Sequence, residues 1–149
     1  MELAITLDDL RDHFELLDGW EERYRYIIDL GKKLQPMEDV LKNDVTKVDG
    51  CMSQVWMTSH LDDGRLHFKA DSDASIVRGL IAVLLVAYDD KTPAEISALD
   101  IGPFFDVLGL AQHVSMNRRN GFFAMVGRIQ GEARRAASGP ELAGGARGA

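Results

Sequence analysis

Val55-Trp56-Met57-Thr58-Ser59-His60-Leu61-Asp62-Asp63-Gly64-Arg65-Leu66-His67-Phe68-Lys69-Ala70 is the stretch that decides the fold class. Val55 to Thr58 reads as a strand. Leu66, Phe68 and Ala70 alternate with Arg65, His67 and Lys69, the pattern of a strand with one buried face. Asp62-Asp63-Gly64 between them is a hairpin signal. Upstream, Val45 and Val48 predict a further short strand running into Asp49-Gly50-Cys51. The expectation is a three-stranded antiparallel meander. Downstream, the period changes from two to that of a helix. Ile76, Leu80, Ile81, Val83, Leu84, Leu85 and Val86 are apolar almost all round, so this helix should be the buried one, packed on the sheet. Asp73 is expected to cap it.

The flanks are helical. Thr6 is a good N-cap, followed by Asp8 and Asp9 in a first turn and by Leu7, Leu10, Phe14 and Leu17 at helical spacing. Asp18-Gly19 breaks that helix, Trp20 to Gly31 marks a second, and Pro36 ends or redirects it. Thr92-Pro93-Ala94-Glu95 combines an N-cap, a proline at the first helical position and an acid at the third. A helix around Pro103–Leu108 follows. A last helix runs from about Asn117, with Phe122, Met125, Val126, Ile129 and Ala133 as its apolar stripe. The class is therefore α+β in one domain: a small antiparallel sheet flanked by helices, over residues 1–137. Residues 138–149 turn to glycine, alanine and serine with almost nothing to bury, which predicts a disordered tail.

Composition narrows the functions. The 149 residues are 46% hydrophobic and 28% charged, the balance of a globular protein able to bury a core without staples. A net charge of −7 argues against general nucleic-acid binding. The longest apolar run, Leu80 to Tyr88, is far short of the ~20 residues that cross a bilayer, so no membrane span is expected. Met1-Glu2-Leu3-Ala4 lacks the basic start and apolar stretch of a secretory signal. With a single cysteine, this makes the reducing cytoplasm the expected compartment. One cysteine cannot build a disulfide framework or hold an iron–sulfur cluster unaided. The four histidines show no paired metal spacing, and no glycine-rich phosphate loop is present.

Chemistry concentrates on Cys51. A free cysteine is commonly a small buried hydrophobe. Here it follows a turn pair and precedes a strand, near the tip of a connection, where reactive groups are often offered to partners. Gly50 permits a backbone conformation that aims the next side chain. Val48, Val55 and Trp56 beside the turn could supply apolar cover that slows the thiol's reaction. A Cys–His hydrolase or acyltransferase using His113 or His60 stays open, as does an interaction module with a structural cysteine. Arg118 and Arg119 stand at a helix start, where cations oppose the helix dipole and so invite another explanation. Asp71-Ser72-Asp73 lacks the spaced acids of a calcium loop.

Four collinear segments carry a family resemblance over most of the chain, from about Phe14 to Ala133. They are Trp20-Glu21-Glu22-Arg23-Tyr24 with Leu30-Gly31-Lys32, Val48-Asp49-Gly50-Cys51-Met52-Ser53-Gln54-Val55-Trp56, Asp71-Ser72-Asp73-Ala74-Ser75-Ile76-Val77-Arg78-Gly79-Leu80, and Gly109-Leu110 through Gln112-His113 with Arg118-Arg119-Asn120-Gly121. In these the chain resembles the SufE family of sulfur-acceptor proteins of iron–sulfur cluster assembly. The resemblance implies a SufE/IscU-like fold and a sulfur carrier that is not itself an enzyme. Such a carrier accepts a persulfide from a SufS-like cysteine desulfurase, stimulates that partner and delivers sulfur to downstream cluster-scaffold proteins. By resemblance Cys51 is the persulfide-carrying thiol. Arg118 is the supporting residue, by stabilising the leaving thiolate or lowering the Cys51 pKa. No cofactor is implied in this chain, since pyridoxal phosphate would belong to the partner. Homodimerisation is left open. Met52 departs from the glutamine of many relatives.

Overall fold

The computed structural model describes residues 5–51 and 53–138. Residues 139–149 of the expected tail and Met52 lie outside the described residues. The chain runs α1 (Leu7–Glu15), α2 (Gly19–Gly31), a short 3₁₀ turn (Asp39–Leu41), β1 (Val55–Asp62), β2 (Arg65–Ser72), α3 (Ser75–Tyr88), α4 (Pro93–Ala98), α5 (Gly102–Val107), α6 (Leu110–His113) and α7 (Met116–Ala137).

Local chemistry explains several boundaries. Thr6 Oγ1 accepts from Asp9 N at 3.1 Å while the Asp9 carboxylate accepts from Thr6 N at 3.0 Å, a reciprocal cap that starts α1. Thr92 and Glu95 repeat it at α4, at 3.1 and 2.9 Å. The β1–β2 turn places Asp63 at φ 54° and Gly64 at φ 77°, the left-handed pair that matches strand twist in a two-residue hairpin. Register runs from Val55 opposite Ser72 to Asp62 opposite Arg65. Val55, Met57, Leu66, Phe68 and Ala70 enter the core from this hairpin.

Among the described residues the sheet has two strands, not three. The expected strand at Val45–Val48 is a turn that meets β1 only through a single bridge, Lys47 to Trp56. Asn43 is the reason. Its side-chain oxygen accepts from Val45 N at 2.9 Å and Thr46 N at 3.1 Å, and its carbonyl accepts from Lys47 N at 3.0 Å. These local bonds consume donors that a strand would pair, and Val45 ends 84% exposed instead of facing a core.

α3 is the centre of the molecule. Every residue from Ile76 to Tyr88 except Arg78 is buried. β2 lies against it, as do α2 and α7. At the α2 crossing a Cβ on Gly79 would stand 2.3 Å from the Ile27 carbonyl oxygen, so only glycine lets the two backbones meet. Asp73 does not cap α3. Ala74 takes that position without a side-chain bond, and Asp73 Oδ1 instead accepts from Gln54 N at 3.1 Å. A residue expected to serve its own helix thus fastens the segment that follows Cys51. Among the described residues no helix is long and apolar enough to cross a membrane.

Candidate functional site

Cys51 sits in a small closed loop. Val48 N donates to Val55 O at 2.8 Å across its base, and Asp73 holds Gln54 by the side-chain bond above and by a 3.3 Å backbone bond from its own N–H to Gln54 O. Gly50, at φ 91°, supplies the left-handed turn just before the thiol. That turn presses the loop on α7: a Cβ at Gly50 would stand 3.2 Å from Ala124 Cβ. The Cys51 side chain is half-buried, and its thiol faces the Gly121 carbonyl at 3.7 Å.

The cover differs from the sequence expectation. Val48 and Val55 are buried in the main core, and Trp56 lies beside the Lys42 ammonium, 5.3 Å from its ring centre. The thiol opens instead into a cavity of about 170 Å³ with Val77 and Leu80 of α3 and Gly121, Phe122 and Met125 of α7. Ser53, Ser115, Asn117 and Arg118 supply its polar side. Cys51 and Arg118, far apart in the chain, therefore share one pocket.

Burial pushes the Cys51 thiol above its ordinary pKa, and the Asp49 carboxylate pushes it further the same way. The direction of that shift is set by burial and Asp49. The Arg118 guanidinium is held by a bond of its own. Arg118 Nη1 donates to Tyr24 Oη at 3.3 Å, while its backbone N–H donates to Ser115 Oγ, the cap of α7, at 3.3 Å. Among the described residues no carboxylate lies within salt-bridge distance of Arg118.

No histidine lines this pocket. His13 Nδ1 lies 2.6 Å from Tyr26 Oη. His60 and His67 stack on each other across the hairpin at 5.2 Å, and His113 stacks on Trp20 at 4.1 Å. A Cys–His nucleophile pair, which needs hydrogen-bond reach, is thus not assembled. The Asp71 carboxylate is taken by Lys42 and Arg78, each at 3.1 Å. Among the described residues no group of three or more His, Cys, Asp or Glu is arranged to hold a metal ion.

The SufE family model, described as an Fe-S metabolism associated domain, matches residues 8–133. The chain belongs to the SufE family. An uncharacterized SufE-like protein of Rhizobium meliloti is 44% identical over 132 residues, covering 86% of this chain and 94% of the relative. Another from Rhizobium etli is 44% identical over 133 residues, covering 87% of this chain and 90% of the relative. The solution structure of a hypothetical protein from Thermus thermophilus matches with a TM-score of 0.74 over 89% of this chain and 96% of that one. At 18% identity that likeness concerns the fold alone. Membership of the SufE family places the protein in iron–sulfur metabolism.

Within this SufE fold, sequence reasoning reached Cys51 and Arg118 but missed what surrounds them. Ser115 carries a cap signal of its own, a hydroxyl three residues before the amide it binds, and was legible in principle. Gly121 and Tyr24 fall within the family segments, where sequence alone assigns them no role. Their contacts bridge segments far apart in the chain, for which no local pattern exists.

Proposed function

We propose that this SufE family member is a sulfur carrier whose Cys51 accepts persulfide sulfur from a SufS-like cysteine desulfurase in the cytoplasm, stimulates that enzyme and hands the sulfur on for iron–sulfur cluster assembly. The observation that carries the reading is the pairing, in one small pocket, of the chain's sole cysteine with a guanidinium that no described carboxylate neutralises.

The step balances without an outside oxidant or reductant. Cys51 loses its proton to solvent, and its thiolate attacks the terminal sulfur of the donor's cysteine persulfide. A Cys51 Sγ–S bond forms, the donor's S–S bond breaks, and the donor cysteine leaves as a thiolate. Two anionic sulfurs must approach each other, so a cation at the meeting point lowers the barrier. Arg118 acts on the incoming and departing sulfur. The raised thiol pKa keeps Cys51 mostly protonated until the partner docks, which limits wasteful reactions of an exposed thiolate.

Alanine release from cysteine by the desulfurase tests this. The wild-type chain should accelerate turnover, and Cys51→Ser should abolish the acceleration. Equal acceleration by Cys51→Ser would show that stimulation needs no sulfur acceptor on this chain.

A further inference from the structure

We propose that Tyr24 is a positioning residue that holds Arg118 at the Cys51 pocket with its positive charge unspent. This rests on the reading of Cys51 as a sulfur acceptor, but the geometry behind it is independent of that reading. Arg118 opens α7, and Tyr24 comes from the middle of α2. The side-chain tie between them is the 3.3 Å bond from Arg118 Nη1 to Tyr24 Oη. Ser115 fixes the backbone end of Arg118, so Tyr24 fixes the charged end.

The chemistry of the acceptor matters. An arginine held by Asp or Glu would be oriented but neutralised as a pair, and would attract an anion only weakly. A phenol oxygen accepts the same hydrogen bond while carrying no charge. The guanidinium keeps its remaining donors and its full charge for an anionic sulfur entering the pocket. Arg23, adjacent in sequence to Tyr24, shows the contrast: its guanidinium lies over the Phe14 and Trp20 rings, at 5.7 and 5.9 Å, and is absent from the pocket wall. Tyr24 also packs against the hydrophobic core, which stiffens the anchor.

The test compares alkylation of Cys51 by iodoacetate, an anion, and by iodoacetamide, its neutral analogue. The ratio of the two rates reads the field at the pocket mouth, whereas loosening of the pocket would change both rates together. Tyr24→Phe removes one oxygen and should lower the iodoacetate-to-iodoacetamide ratio about threefold, the scale of one partly screened charge. Arg118→Ala should lower it at least as far, and the double variant no further than Arg118→Ala, because Tyr24 acts only through the Arg118 charge. In the desulfurase reaction Tyr24→Phe should slow sulfur acceptance with the same non-additivity. An unchanged ratio in Tyr24→Phe while Arg118→Ala lowers it would overturn the positioning role. A ratio indifferent to Arg118→Ala would overturn its premise. If the wild-type chain takes up no sulfur at all while the ratios behave as stated, the carrier reading fails and the positioning of Arg118 by Tyr24 stands.

Discussion

Cys51 reacts, on this account, as a sheltered thiol. Burial and the Asp49 carboxylate both favour its protonated form, so its alkylation rate should rise with pH through a midpoint above that of a free cysteine. Asp49→Asn removes a negative charge beside the thiolate. That favours ionisation, so the pH profile measured with iodoacetamide should move to lower pH, and a profile that stays in place would remove Asp49 from the explanation. Addition of a desulfurase should speed alkylation of the wild-type thiol, and an unchanged rate would contradict control of the thiol by the partner. How much of this was legible residue by residue is uneven. Gly50-Cys51 announces a turn that presents a thiol, and the structure agrees in the left-handed φ of Gly50. The identity of the cover was not legible. Val48, Val55 and Trp56 are neighbours in sequence, yet the pocket wall comes from Val77, Leu80, Gly121, Phe122 and Met125. Only chain folding brings those side chains to the sulfur, and hydrophobic periodicity shows which residues are inside without showing which of them meet.

Elements place these residues, and two glycines on the helices behave oppositely. Gly79 lies where α3 crosses α2, and its missing Cβ leaves room for the Ile27 carbonyl 2.3 Å from where that atom would be. Gly79→Ala must push two backbones apart, and should cost roughly 2–3 kcal/mol in denaturant unfolding despite alanine's better helix propensity. Gly121 on α7 is different: an added Cβ would stand 3.5 Å from Cys51 Sγ, an ordinary contact. Gly121→Ala should therefore fold, with a gain of up to about 1 kcal/mol, and yet slow sulfur acceptance by taking space beside the thiol. Loss of stability with unimpaired acceptance would contradict this. At this scale the sequence was most readable where one element obeys one rule. The N-caps at Thr6 and Thr92, the hairpin turn and the all-round apolar α3 were each expected and found. It misled where a side chain serves a distant backbone or turns its own segment aside. Asn43 turns Val45–Val48 away from strand pairing, and Asp73 binds Gln54 rather than capping α3. Asx side chains can satisfy either local or distant donors, and spacing alone does not choose between them.

The whole molecule brings these scales together. A buried α3 fixes β2 and α7 around itself, Asp73 at its threshold tethers the Cys51 loop, and α7 brings Gly121 and Arg118 to the thiol. The fold class followed from the order of periodicities along the chain. The number of strands did not, because an isolated bridge and a third strand differ by a few backbone bonds. The family segments are readable in the sequence alone, and the match over residues 8–133 agrees with them. The resulting assignment to iron–sulfur metabolism rests on the whole chain, while the chemistry rests on one atom, Cys51 Sγ. Its most direct test is the intact mass of the protein after incubation with a cysteine desulfurase and cysteine. The account predicts a gain of about 32 Da, one sulfur atom, that maps to Cys51, disappears on reduction and is absent from Cys51→Ser. An unmodified wild-type chain recovered beside a desulfurase that has formed its own persulfide would contradict it.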